Sequence, residues 1–292
     1  MPTPGSSPRS AARSSRGSVP GEVPAGTAAW RSAAAHVFVA DLSSPALGED
    51  DAQHLLRVLR LRPGEVVGTS DGRGGWRACR LGGDGRLEAD GDPVFEDPPR
   101  PSVTVGFAVP KGDRADWAVQ KLTEVGVERI VPLLTELGVV RPEGDRAGRR
   151  VARWTAIARS AAMQSRRLWL PEVAAPRTLA EVLGGCPPDQ RCAGPRAPLR
   201  WGSVALAEPG GPAPTLEHPT VLVGPEGGWG GAEREAAPAT VGLGTTVLRT
   251  ETAAVVAGTL LVALRSGLVS PAGRGARGGH GSPSAGPDPG ES

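Results

Sequence analysis

The chain has 292 residues, with 33 Lys and Arg against 31 Asp and Glu; a net charge of +2 excludes nucleic-acid binding through bulk charge and leaves only local placement to attract a polyanion. The longest apolar run, Ala253 to Leu264, falls short of the roughly 20 residues that cross a bilayer, so no membrane partner is expected. Cys79, Cys186 and Cys192 have neither CxxC spacing nor a histidine cluster nearby, which argues against a disulfide framework or zinc site, predicts no bound metal, and fits a reducing, cytoplasmic setting.

Residues 1–34 are rich in Ser, Pro, Gly, Ala and Arg, lack the apolar core of a secretory signal, and read as a disordered tail. From 35 to 97, alternating apolar residues are broken by Pro-Gly, Asp-Gly and Gly-Gly turns, which predicts a small β domain of short strands with one helical turn over Asp51 to Leu59. The segment EDPPRP at Glu96 to Pro101 is a stiff linker, because each proline ring fixes its own φ and restricts the residue before it. Residues 101–268 change rhythm: SVTVGFAVP is a strand, DRADWAVQKLTEVGV a helix, RIVPLL a strand, and RAGRRVARWTAIARSAAMQSRR a long helix. A weak strand near Val173, a poorly patterned stretch to His218, the strand TVLVG and a short helix AEREAA follow. Strands alternating with helices predict an α/β domain with a mostly parallel sheet. Residues 269–292 read as a second disordered tail.

Two turns draw the eye for chemistry. In an open α/β sheet, ligands lie beyond the carboxyl ends of the strands, which is where GPEGG at Gly224 to Gly228 falls. It is no phosphate cradle: Gly-Lys-Ser/Thr and a complete GxGxxG are both missing, and Glu226 would repel a triphosphate. The second turn, LGTTVLRTETAA, places Thr250, Glu251 and Thr252 at a helix start, directly after Arg249. Together the turns can wall one small-molecule pocket.

Several segments occur in a specific order and spacing: HLLRVLRLRPGE, KGDRADWAVQKLTEVGVERIVPL, RWTAIARSAAMQSRR, LVGPEGGW and LG..VLRTETA. With them the chain resembles the 16S ribosomal RNA uracil-N3 methyltransferase family of the SPOUT superfamily, from about His36 to about Gly267. The resemblance implies a PUA-like β-barrel followed by a parallel-sheet methyltransferase domain whose C-terminal part forms a trefoil knot, an exception to the rule that chains do not thread loops. It also implies a homodimer that takes S-adenosylmethionine as cofactor and 16S rRNA of the small ribosomal subunit as substrate. Carried over, the cofactor residues are Leu222, Gly224, Pro225, Glu226, Gly227 and Gly228 in the first turn, and Leu243, Gly244, Leu248, Thr250, Glu251 and Thr252 in the second. The chain departs from the family pattern at His36, at Thr245 and in LLTELGVVRPEG.

Methyl transfer to N3 requires loss of the imide proton, and a cation near the base would stabilise the resulting charge. Arg249 is the candidate; the alternative is that it pairs with Glu226 or Glu251 and only holds the loops together. Candidate RNA contacts are Arg57, Arg60 and Arg62 in the first domain and the stripe Arg146, Arg149, Arg150 and Arg153 at helical spacing in the second. Lys111 lies at another strand end, while Trp117, Trp154 and Trp169 are expected in the core or an interface. Two other readings stay open: a knotted methyltransferase acting on another RNA nucleotide, and a non-catalytic RNA-binding relative.

Overall fold

The computed structural model describes residue 30 and residues 32–140, 144–184 and 202–270. Most of both expected tails, and Cys186 and Cys192, lie outside these residues.

The folded part begins earlier than residue 35. Trp30 and Ala33 are buried, and the Trp30 indole meets the His36 ring edge-on at 4.5 Å and Trp76 at 5.6 Å, because so large an apolar side chain is stabilised by any core within reach. The first sheet has strands β1 (Ala35–Phe38), β2 (Val66–Ser70), β3 (Gly75–Leu81) and β4 (Leu87–Phe95) in that order, with β1 parallel to β2 and the remaining pairs antiparallel. Helix α1 (Glu49–Gln53) runs into a π-helical turn over His54–Val58. Of that turn only Leu55 is buried, packing with Val37, Val67 and Leu81.

The second sheet is parallel, in the order β11-β9-β10-β5-β6-β7, with β8 also pairing β6. Its strands are β5 (Thr104–Ala108), β6 (Arg129–Leu134), β7 (Glu172–Val173), β8 (Arg177–Thr178), β9 (Val204–Ala207), β10 (Thr220–Val223) and β11 (Thr240–Val241). From β5 the chain builds outward through β6 and β7, then returns on the other side of β5 to lay down β9, β10 and β11. Strands β5 and β10 are buried at every position, as expected of a parallel sheet covered on both faces.

Among the described residues five helices belong to this half: α2 (Arg114–Val125), α3 (Gly144–Gln164), α4 (Leu179–Gly184), α5 (Gly231–Glu235) and α6 (Thr250–Arg265). Helix α2 buries Ala115, Ala118, Val119 and Leu122, one face at helical spacing. Helix α6 buries Ala253, Ala254, Ala257, Gly258 and Leu261, so its main chain lies close to α2 and β5. A Cβ on Gly258 would stand 2.8 Å from Val127 Cγ2 and 2.9 Å from Leu122 Cδ2. Beyond the end of α2, Glu128 Oε2 accepts from Arg265 Nη1 at 2.5 Å and from the Val103 amide at 2.8 Å. Arg167 does not cap its own helix; its Nη1 donates to the carbonyls of Thr123 and Val127 at 2.9 and 2.7 Å, and burial pulls its pKa down to about 10 against the support of Glu128.

Helix α3 joins the halves. Arg159 donates to Asp51 Oδ2 at 2.6 Å and lies 5.3 Å from the centre of the Phe38 ring, while Arg166 donates to the carbonyls of Trp30 and Ala33. At this seam His36 is buried with Nε2 2.7 Å from Ser70 Oγ. Burial above all pushes its pKa down to about 4; Arg166 and Arg159 add to the effect, and the carbonyls of Met163 and Ala162 oppose it.

Two outcomes follow from this packing. Gly258→Val should lower stability by about 1–3 kcal/mol through overpacking against α2, read by urea unfolding; an unchanged midpoint would mean that α6 stands off more than described. Because the folded pKa of His36 lies below the unfolded value of 6.5, its neutral form is fully compatible with the fold above pH 6.5, and stability is lost as pH falls from there towards 4. His36→Gln should therefore reduce the stability difference between pH 7 and pH 4.5 by about 2 kcal/mol, and an identical acid slope in both proteins would refute the assignment.

Candidate active site at the carboxyl edge of the sheet

Three strands end side by side, and the segments leaving them enclose a cavity of about 270 Å³, close to the lower end of the roughly 300–1,000 Å³ typical of small-molecule sites. The first wall follows β10. Gly228 adopts φ +77°, a conformation that favours glycine, and its amide donates to the Pro225 carbonyl at 2.8 Å, closing a tight turn. Trp229 then folds back beneath the turn: its indole would lie 3.1 Å from a Cβ on Gly224, and its Nε1 donates to the Ala207 carbonyl at 3.2 Å.

The second wall follows β11 and ends where α6 begins. Arg249 is extended, and its carbonyl accepts the first helical bond from the Ala253 amide at 2.8 Å. Thr250 is buried, and its hydroxyl donates to the Gly224 carbonyl at 3.0 Å. That bond joins the two turns directly, so neither can shift without the other. The third wall is the segment Ala207, Glu208 and Pro209 after β9.

The lining is apolar inside, through Val223, Leu243, Leu248, Trp229 and Ala253, and carries three charged side chains, Glu208, Glu226 and Arg249. Arg249 and Glu226 are exposed, and among the described residues neither makes an ion pair. The bridging alternative for Arg249 is therefore not what the structure shows. Glu251 points elsewhere, with Oε1 3.8 Å from Arg114 Nε and Oε2 buried without a hydrogen bond.

Of the residues singled out from sequence, Gly224, Pro225, Glu226 and Gly228, Leu243, Gly244 and Leu248, and Arg249 and Thr250 line the cavity. Leu222, Gly227, Glu251 and Thr252 do not. Leu222 is on the opposite face of β10 because side chains alternate along a strand, and it packs with Leu133 and Val131. Gly227 faces Leu137, whose Cβ would be 3.7 Å from a glycine Cβ there. Sequence reasoning missed Ala207, Glu208 and Pro209, since β9 lay within the stretch without pattern; the run ALAEPGG, apolar residues ending at a Pro-Gly turn, was the available signal. Val223, Thr246 and Val247 lie inside the two turns that the resemblance carries over, without being singled out; Ala253 was missed and Trp229 left unassigned.

Arg57, Arg60 and Arg62 are exposed around the π-helical turn and free of ion pairs among the described residues. Arg146 and Arg149 are exposed and Arg150 half-buried on the first turns of α3, also without ion pairs among those residues. Arg153 differs: its Nε donates to Asp116 Oδ2 at 2.8 Å, and Asp116 also accepts from Trp154 Nε1 at 2.9 Å. Trp154 is core, whereas Trp117, on α2, is 44% exposed and therefore not a core residue of the single chain. Lys111 is exposed and stands outside the cavity lining. Among the described residues no helix is long and apolar enough to cross a membrane.

Thr250→Ala should cost about 1 kcal/mol by removing the bond to Gly224, lowering the thermal midpoint by a few degrees. A stability unchanged from the parent would show that the two turns are held together by packing alone.

Residues 97–262 match a family described as RNA methyltransferase domain, and residues 47–92 one described as RNA methyltransferase PUA domain. A Mycobacterium bovis protein named ribosomal RNA small subunit methyltransferase E is 34% identical over 223 residues, covering 71% of this chain and 82% of its own. Among solved structures, a ribosomal RNA small subunit methyltransferase E from Neisseria gonorrhoeae bound to S-adenosyl methionine superposes with a TM-score of 0.62 at 28% identity, over 80% of this chain and 97% of that one. A probable rRNA-methyltransferase from Porphyromonas gingivalis gives a TM-score of 0.64 at 25% identity, over 80% and 100%. With two adjoining family matches and a relative of this similarity over most of its length, the chain belongs to the ribosomal RNA small subunit methyltransferase E family of RNA methyltransferases.

Proposed function

We propose that this protein transfers the methyl group of S-adenosylmethionine to N3 of a uridine in the 16S rRNA of the small ribosomal subunit, as a cytoplasmic homodimer. The observation that carries this reading is the bond from Thr250 to Gly224, which draws two turns from neighbouring strand ends into one cavity. The residues present fit the cofactor. Val223, Leu243 and Leu248 offer apolar walls to a flat adenine, the glycine backbone at Gly224 and Gly228 permits close approach, and the exposed carboxylate of Glu226 suits the ammonium of the amino-acid end. When bound, the cofactor supplies an electrophilic methyl group.

The protein's own part is positioning and charge. Arg249, unpaired among the described residues and lining the cavity, stabilises the negative charge on the uracil oxygens as N3 loses its proton. Among the described residues the lining holds no imidazole; Glu226 is its exposed carboxylate, and bulk solvent is the other acceptor for the proton. Cofactor contact is assigned to the lining members Gly224, Pro225, Glu226, Gly228, Leu243, Gly244, Leu248 and Thr250, with Gly227 and Thr252 behind them. The free guanidinium groups of Arg57, Arg60, Arg62, Arg146, Arg149 and Arg150 suit RNA phosphates, while Arg153 acts through Asp116. In this reading the first four strands are a PUA-like barrel. The passage of the chain from β10 across β9 to β11 and back through α6 supports a trefoil knot, and the half-covered Val255, Val256 and Leu260 on α6 suit a dimer contact.

The direct test is transfer of labelled methyl groups to small ribosomal subunits from a strain lacking this gene, with the product nucleoside identified by mass spectrometry. A single N3-methyluridine is expected; a different methylated nucleoside would redirect the specificity, and no transfer despite cofactor binding would defeat the catalytic reading. Arg249→Ala should leave cofactor affinity within about threefold while lowering kcat about 100-fold or more. Loss of cofactor binding in that variant would move Arg249 from catalysis to the binding site.

A further inference from the structure

The three charged side chains of the cavity are not equivalent. Glu226 and Arg249 are exposed, whereas Glu208, directly after β9, is held from several directions. Its amide donates to the Val241 carbonyl at 2.9 Å, its carbonyl accepts from the Gly211 amide at 3.2 Å, and its side chain is 21% exposed. Oε1 accepts from Arg234 Nε at 2.9 Å. Arg234 belongs to α5, and its Nη2 lies 3.2 Å from the position of a Cβ on Gly228, so one guanidinium spans from the end of β9 to the turn after β10. Among the described residues Oε2 has no hydrogen-bond partner. A side chain fixed at one oxygen and open at the other, on the wall of a cavity, is arranged to accept from a ligand.

We propose that Glu208 is a specificity-determining residue that accepts hydrogen bonds from the ribose 2′- and 3′-hydroxyls of the adenosyl cofactor, and that Arg234 is the positioning residue that aims it. The inference rests on the cofactor reading above. A carboxylate accepts at both oxygens, which matches a vicinal diol, and an acidic residue at a strand end serves the same purpose in dinucleotide sites. The cofactor's ammonium is the competing partner, and the charge pattern favours the diol. Arg234 already neutralises Glu208, so a second cation gains little from it, while a neutral hydroxyl needs only the open lone pairs. Glu226, with no ion pair among the described residues, retains the uncompensated charge that suits an ammonium. Recognition of this kind discriminates strongly, because a ligand without the hydroxyls leaves a desolvated carboxylate unpaired.

The test is calorimetric titration of the full chain with three probes: S-adenosylhomocysteine, its 2′,3′-dideoxy analogue, and 5′-methylthioadenosine, which keeps the diol and lacks the amino acid. The parent protein should bind the dideoxy analogue about 10–100-fold more weakly than S-adenosylhomocysteine, and Glu208→Gln should bind the two within about threefold of each other. The same substitution should weaken 5′-methylthioadenosine as much as S-adenosylhomocysteine. Arg234→Ala should reproduce part of the loss for hydroxylated probes only, and Arg234→Lys should restore most of it. A parent protein indifferent to the hydroxyls overturns the proposal without any substitution, as does a Glu208→Gln effect confined to S-adenosylhomocysteine, which would place the ammonium there. If the parent binds none of the three, the cofactor reading itself fails and this inference with it.

Discussion

The site exists because one helix lies unusually close to the sheet. Helix α6 turns Ala253, Ala254, Ala257 and Gly258 towards β5 and α2, and only side chains this small let its main chain come so near. That approach fixes where the helix begins. Its first residue, Thr250, reaches the carboxyl edge of β10 and can donate to Gly224; a helix held off by larger side chains would leave that carbonyl unmet and the two turns independent. The partial positive charge of the helix start then faces the cavity, alongside Arg249. The Glu128 cluster secures the far end, where Arg265 of α6 and Arg167 meet the carbonyls beyond α2.

Much of this architecture could be read from periodicity. The strands β5, β6 and β10 are buried on both faces and so appear as continuous apolar runs, and α2 and α3 show their buried stripes at helical spacing. The two turns that wall the cavity stood out because glycine and charged residues directly after an apolar run have few structural uses. What stayed hidden has physical reasons. Strand β9 lies in a stretch that otherwise lacks pattern and is defined by its partners β10 and β11 rather than by its own sequence. Glu208 was hidden with it, since a lone acid before Pro-Gly gains meaning only when β11 and Arg234 come alongside. Trp30 sits in a segment whose composition argues for disorder, and a single indole finding a core leaves no mark on composition. The face of β10 that lines the cavity was assigned one residue off: Val223 lines it and Leu222 does not, a distinction set by the pleat and invisible in the motif.

The two halves communicate through α3. Its first turns carry arginines without ion pairs among the described residues, its middle holds Asp116 through Arg153, and it grips the first domain through Arg159 and, just beyond its end, Arg166. Held at its middle by Asp116 and further along by the first domain, the helix sets the distance between the basic groups of the two domains. Arg159 is central to this, since it pairs with Asp51 and stacks near Phe38 at once, and planar guanidinium can satisfy both demands where lysine cannot.

The placement of β10 also governs how the chain reaches this state. Thr220 pairs on one side with Thr104 and on the other with Val204, so the strand that carries the first cavity turn slots between two strands already laid down, one of them far back in the chain. Contacts between such distant segments require a large loop to close before any pairing is gained, which slows folding and leaves strand edges open meanwhile. During that interval β5 presents one unpaired edge, and β9, whose partners β10 and β11 both follow it in the chain, presents two, the features most prone to association with other chains. The residues that form the cavity are thus among the last to be assembled, and during synthesis they emerge late, when the rest of the sheet is waiting for them.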